Sequence, residues 1–221
     1  MPARHLLFAL LPLFAGCQMF SVYSNKPVIP PQRLQGQLTQ AEGHLLLTPC
    51  GETRTIEVVN DGNSEIVREA AGLFADGHRE LFVDLLGDVT GSKSPGVDGE
   101  LQARLVYRLQ GEGPGCDAPG FERLLLRASG HEPDWSLGVS SKGLVLQRPG
   151  QMPLAVPYLE EQLPEGRFNL SSEANGQKLE LWLAPQRCTD SMSGSVQHLS
   201  AELRINGEVQ RGCAFYGGAR R

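Results

Sequence analysis

The segment Leu199–Phe215, LSAELRINGEVQRGCAF, decides the architecture of the chain. Leu199, Ala201, Leu203 and Ile205 fall on one side of an extended backbone, and Ser200, Glu202 and Arg204 fall on the other. Side chains alternate across a strand, so this pattern predicts a β-strand with one buried face. Asn206-Gly207 follows, a pair that accepts the positive φ of a two-residue hairpin, and Glu208–Phe215 resumes as the return strand. The same grammar recurs upstream at Phe121–Ser129, Asp134–Ser140, Gly143–Arg148, Pro153–Pro157, Arg167–Ser171 and Lys178–Ala184, with Val196–Ile205 read as one strand. Lys142-Gly143 and Asn175-Gly176 are further hairpin steps. Many short strands at this spacing predict a roughly eight-stranded antiparallel barrel over residues 117–221.

Gly111–Gly120, GEGPGCDAPG, is the clearest boundary, because it is rich in Pro and Gly and nearly devoid of apolar side chains. Before it, strand-like pieces lie at Leu34–Leu38, His44–Thr48 and Thr55–Val59. Apolar residues then recur at three- and four-residue spacing over Ser64–Ala75, which predicts a helix capped by Asn63 or Ser64 and ended by Gly77. Strand pattern returns at Glu80–Val89 and at Leu101–Gln110, where Leu101, Ala103, Leu105, Tyr107 and Leu109 share one face. Three strands, a helix and two strands is the element order of an OB barrel, so residues 33–116 are expected to be an OB-like domain. The fold class is therefore all-β with one short helix, in two small β-barrel domains.

OB folds that bind nucleic acid use a basic groove and aromatic platforms. Tyr107 is the only Tyr or Trp in the first domain, and no Lys/Arg run exists anywhere. The formal net charge is −5, and loss of a leader containing Arg4 leaves the remainder one unit more acidic. Nucleic acid is excluded as a partner on these grounds.

Residues 1–16 read as a secretory leader: Arg4, then the short apolar run Leu6–Phe14, then Ala15-Gly16. The run is too short to span a bilayer, which needs ~20 apolar residues. Cys17 follows directly, in the pattern of a bacterial lipobox whose thiol is acylated and becomes the mature N-terminus. Gln18 after the cysteine, in place of Asp, points to the outer membrane by resemblance to enterobacterial sorting. Residues 17–32, with Pro30-Pro31, are expected to form a Pro-rich tether. Cys50, Cys116, Cys188 and Cys213 remain, an even set that suits an oxidising compartment. Pairing Cys50 with Cys116 and Cys188 with Cys213 closes one domain each. The other two connectivities stay open at this point, as does thiolate metal binding.

Two polar clusters stand out. Ser129-Gly-His131-Glu132-Pro-Asp134-Trp135-Ser136 offers an imidazole, carboxylates and hydroxyls around a proline. Cys188-Thr-Asp190-Ser-Met192-Ser-Gly194 offers hydroxyls and a carboxylate in a tight loop. Each reads first as a structured turn. His131, Glu132, Trp135, Asp190 and Met192 are the candidate ligand contacts, with no catalytic residue and no metal ligand assigned. His44, His78 and His198 are isolated.

These stretches also carry a resemblance. Gly130-x-Glu132-Pro133-x-Trp135-Ser136, then Cys188-x-Asp190-x-Met192-Ser193, then Gly212-Cys213-Ala214 resemble a family of uncharacterised Gram-negative envelope lipoproteins. Asp134 stands where an aromatic residue is commoner there, and Gly194 where an acid is common. The C-terminal half resembles the small β-domains of the META/HslJ group and, more loosely, lysozyme-inhibitor barrels. Residues 33–116, with Leu46-Leu-Thr-Pro-Cys50, resemble the OB-like domain of NlpE-type lipoproteins. The CxxC tied to copper in that group is absent, so a copper role does not carry over.

The resemblance implies an outer-membrane lipoprotein facing the periplasm, not an enzyme and without a cofactor. Its partners would be the membrane, through the lipid, and an envelope protein or cell-wall component, in stress sensing or inhibition of a cell-wall hydrolase. The alternatives are a metal-binding envelope protein and a hydrolase using His131, Glu132 and Asp134.

Overall fold

The computed structural model describes residues 30–59, 65–92, 94–113, 115–174 and 176–219. The leader, Cys17 and nearly all of the tether lie outside these residues, as do the Asn63 and Ser64 caps. The elements in order are β1 (Gln32–Ala41), β2 (His44–Pro49), β3 (Ile56–Val58), α1 (Glu65–Ala75), β4 (Glu80–Thr90) and β5 (Gly99–Gln110). Next come β6 (Leu124–His131), β7 (Asp134–Ser140), β8 (Gly143–Gln147), β9 (Leu154–Val156), β10 (Leu159–Gln162) and β11 (Phe168–Ala174). The last are β12 (Gln177–Ala184), β13 (Cys188–Thr189), β14 (Val196–Gln197), β15 (Leu199–Ile205) and β16 (Glu208–Tyr216).

The first five strands close a barrel in the order β1-β2-β3-β5-β4, with β4 pairing back to β1. The β3–β5 contact is parallel and the others are antiparallel, as the OB topology requires. Leu38, Leu47, Leu85, Leu101 and Leu109 are fully buried inside it. Helix α1 adds Ile66 and Ala70 to the same core. Glu65 sits in its first turn, where the helix dipole favours a carboxylate. Gly77, at φ +99°, donates to the Phe74 carbonyl and ends the helix in the left-handed conformation that glycine tolerates best.

Strand β5 does not alternate as its sequence predicts. Register shifts against β4 fall between Asp84 and Leu85 and between Leu86 and Gly87. Such β-bulges reset which face a side chain meets. Leu105, expected inside, is 45% exposed, and Arg108, expected outside, is 3% exposed.

The second sheet has nine strands, ordered β10-β11-β12-β15-β16-β6-β7-β8-β9, and curls into a half-barrel around its own apolar core. The segment expected as a single strand, Val196–Ile205, divides at His198: β14 pairs with β5 in the first sheet, and β15 pairs with β12 and β16 in the second. β13 pairs with β14, so a piece of the C-terminal half completes the first sheet.

Both disulfides form in the expected pairing, Cys50–Cys116 and Cys188–Cys213. The second joins β13 of one sheet to β16 of the other, so it ties the two sheets together instead of closing one domain. The same junction holds a ring cluster: His198 lies 4.6 Å from both Tyr107 and Tyr216. Arg33 stacks over those two tyrosines at 5.3 and 5.9 Å.

Candidate functional site

The two polar clusters, about 60 residues apart in sequence, meet in space. β6 ends at His131 and a two-residue turn, Glu132-Pro133, leads into β7, so His131 faces Asp134 across the hairpin. Its Nδ1 lies 3.2 Å from Asp134 Oδ1, and its Nε2 lies 2.8 Å from Asp190 Oδ2. The imidazole is thus a bridge between the β6–β7 hairpin and the loop that follows β13.

That loop is built around Asp190. Its Oδ1 accepts hydrogen bonds from the backbone N–H of Met192 (3.0 Å) and Ser193 (2.9 Å) and from the Ser193 hydroxyl (3.0 Å). The Asp190 N–H donates to the Ser195 carbonyl, and Gly194 N–H returns to the Asp190 carbonyl. A short acid that bonds its own backbone two and three residues on is the ordinary way to fold so tight a loop. Ser193 Oγ is 3.0 Å from Ser195 Oγ, and the Gln197 amide donates to Ser195 Oγ at 3.4 Å.

Charge follows from these contacts. The hydrogen bond to Asp190 raises the His131 pKa above its ordinary 6.5; partial burial works against this, and the Asp190 and Asp134 charges add to it. Burial alone would raise Asp190. The Ser193 N–H, His131, the Ser193 hydroxyl and the Met192 N–H outweigh it and hold the carboxylate below its ordinary 3.8. Both shifts favour the charged forms, an imidazolium on a carboxylate.

The ion pair edges a cleft of about 510 Å³ lined by Glu132, Arg211 and the Cys188–Cys213 bridge. A second cleft of similar size lies on the other side of His131, bounded by Asp134, Gln147 and Arg148. Glycines permit the close packing beneath. A Cβ at Gly212 would stand 1.8 Å from the Ser129 carbonyl, and one at Gly130 would stand 2.5 Å from Trp135 Nε1.

Of the expected ligand contacts, His131, Glu132 and Asp190 line the first cleft, and Met192 projects from the Asp190 loop at 76% exposure. Trp135 is 3% exposed in the core of the second sheet, and it also lines the second cleft, beside His131. Ser193, Gln197 and Arg211 are the additions: no spacing in the sequence ties them to His131. Both ring nitrogens of His131 face carboxylates, and Ser193 Oγ bonds Asp190 and not the imidazole. The geometry makes a charged clasp, whereas a nucleophile–base pair needs the hydroxyl on the imidazole. Among the described residues, no group of three or more His, Cys, Asp or Glu side chains is arranged to hold a metal ion.

The clasp has a predictable pH window. Because the folded His131 pKa is raised, its contribution is full below the unfolded value and is lost as pH rises through the folded one. Because the folded Asp190 pKa is lowered, its contribution is full above the unfolded value and is lost as pH falls through the folded one. The clasp is therefore strongest between about pH 4 and 6.5. The His131 side chain is 35% exposed, so solvent screening keeps the effect to ~1 kcal/mol or less. An NMR titration is expected to place His131 above its ordinary midpoint, and Asp190→Asn to move it back down. An ordinary midpoint in the intact protein would remove the ion pair.

No protein family, no curated protein and no solved structure matches this chain.

Proposed function

We propose that the protein is an outer-membrane-anchored lipoprotein facing the periplasm, which binds an envelope protein or cell-wall component and catalyses no reaction. The observation that carries this reading is the cysteine pattern. Cys17 follows the leader LLFALLPLFAG, and the other four cysteines are cross-linked in two disulfides. Disulfides of this kind persist where the compartment is oxidising. The leader supplies the route out of the cytoplasm, and a lipid on Cys17 supplies the anchor.

The binding role draws on the clasp. His131 and Asp190 are held in fixed orientation by five hydrogen bonds, beside the exposed Glu132, Arg211 and Met192. Fixed charged groups next to an exposed thioether suit recognition of a partner surface, since little side-chain freedom is lost on binding. Within this reading, inhibition of a cell-wall muramidase is the version with the sharpest readout.

The anchor is tested by intact mass of the protein from purified outer membranes. A triacyl increment is expected in the wild type and is expected to vanish in Cys17→Ala; an unmodified mass would refute the anchor. The inhibitor version is tested by titrating the chain from residue 18 onward into muramidases of several classes. Slowing at stoichiometric amounts, weakened at least tenfold by Asp190→Ala, is the expected result. No slowing of any class would end it.

A further inference from the structure

A groove of about 740 Å³ lies away from the clasp, along the outer edge of β5. β5 has β4 on one side along its whole length. On its other side it has two short partners at its two ends. β3 pairs in parallel with Gly99–Leu101, and Val59 N–H extends that contact to the Leu101 carbonyl. β14 pairs antiparallel with Arg108 and Leu109, and His198 N–H extends that contact to the Tyr107 carbonyl. The chain then turns away at Leu199 into the other sheet. Between these partners, Ala103–Val106 faces no strand on this edge among the described residues.

We propose that this edge is a docking site for an extended peptide segment of a partner protein, added antiparallel to β5 where β14 leaves it. The ladder that β14 begins at Leu109 and Arg108 is already in register, so an incoming strand continues it toward Ala103. Main-chain groups of an edge strand are a ready template for such addition. Antiparallel pairing is the more stable of the two directions. Four residues at ~3.4 Å each give a footprint of ~14 Å, the length of a short strand. Of the two register shifts of β4 against β5, one falls at Tyr107, next to this stretch, and the other at Arg104, within it; bulges of this kind are found where a strand is re-aimed toward a site.

The groove also limits the peptide's chemistry. Ile66, Leu105, Pro185 and Val196 supply apolar contacts. Its charges are balanced within its own walls: Arg104 holds Asp88 at 2.5 Å, and Arg187 holds Glu65 at 2.7 Å and also Glu69. A mixed, alternating apolar–polar segment fits these walls, whereas a polyanion or polycation does not. The site is separate from the clasp, so its failure leaves the clasp reading standing.

The test uses the chain from residue 18 onward, isotope-labelled, with a panel of capped hexapeptides in which Val or Leu alternates with Lys or Glu. At least one is expected to slow hydrogen exchange at Ala103–Val106 tenfold or more and to shift those amides. The same peptide N-methylated at alternate amides, which keeps its side chains but loses its donors, is expected to lose that protection, and so is Leu105→Lys with the unmodified peptide. The proposal is overturned if no peptide acts, if the N-methylated peptide acts equally, or if protection falls elsewhere. Protection at these amides that rises with protein concentration without peptide would assign the edge to a second copy of the chain and would also overturn it.

Discussion

Asp84→Ala is expected to remove about 3–5 kcal/mol of folding stability, the range for stripping one partner from a buried ion pair. Asp84 is fully buried on β4. It accepts hydrogen bonds from Arg33 Nε at 2.8 Å, from Arg33 Nη2, and from the Gln35 amide at 2.8 Å. It also stands opposite Arg108 across the β4–β5 ladder. Arg108 is buried between Phe82 and Phe215, with its guanidinium 4.8 and 3.6 Å from the two rings. Burial pulls the Arg108 pKa down and the Asp84 charge opposes this, so the group stays cationic at neutral pH. One carboxylate therefore compensates two guanidinium groups that link the barrel to β16. Removing it leaves both charges in a place water reaches poorly.

Urea unfolding at pH 7, followed by far-UV circular dichroism, reads the loss as a midpoint lowered by roughly 1–3 M at constant slope. A loss under about 1 kcal/mol would mean that the rings and the Tyr216 and Gly217 carbonyls, 3.3 and 3.4 Å from Arg33 Nη2, already satisfy Arg33. A second variant separates charge from shape. Arg33→Met combined with Asp84→Leu replaces the Arg33–Asp84 pair with apolar groups but still leaves Arg108 without its carboxylate, so it is expected to recover only the part of the loss that belongs to Arg33.

Features written in local spacing were legible in the sequence. Asn206-Gly207 makes its hairpin with positive φ at both residues, and the three- and four-residue spacing of Ile66 and Ala70 makes the helix that buries them. The element order was enough to predict an OB-like barrel. Features set by tertiary pairing were not legible. A two-residue strand such as β14 has no period to detect, so its departure to the first sheet left no trace in the alternation of Val196–Ile205. The bulges in the β4–β5 ladder reversed the expected faces of Leu105 and Arg108, because a register shift depends on both strands. Glu42 makes a turn at φ +51°, a conformation for which its residue type gives little warning. At the site, each polar cluster was visible alone. Their meeting through His131 and Asp190 was not, because 59 positions separate them and they are brought together by tertiary links, the pairing of β6 with β16 and the Cys188–Cys213 bridge among them.

The two disulfides are expected to differ in size of effect and, more usefully, in kind. Cys50–Cys116 spans 66 residues and Cys188–Cys213 spans 25. Loop entropy assigns them about 4 and 3.5 kcal/mol respectively. Cys50→Ala/Cys116→Ala is expected to lower the melting temperature by roughly 10 °C. That bridge joins two segments next to strands of one barrel, the end of β2 and the loop after β5, so its loss weakens the first sheet. Cys188→Ala/Cys213→Ala removes the staple between sheets, leaving the His131–Asp190 clasp as a weaker link two residues further on in the chain from Cys188. The second core, with Leu137, Leu181 and Leu203, is built from residues of its own sheet, so that sheet keeps its apolar burial when the staple goes. The loss then falls on coupling between the sheets. Both tryptophans, Trp135 and Trp182, lie in the second sheet, so fluorescence reports that sheet while far-UV circular dichroism reports both. In the wild type the two melting curves are expected to coincide, and in Cys188→Ala/Cys213→Ala they are expected to part by several degrees. Curves that still coincide would show that β14, the ring cluster of Tyr107, His198 and Tyr216, and the Arg33–Asp84 pair couple the sheets without the bridge, and the bridge would then contribute through loop entropy alone.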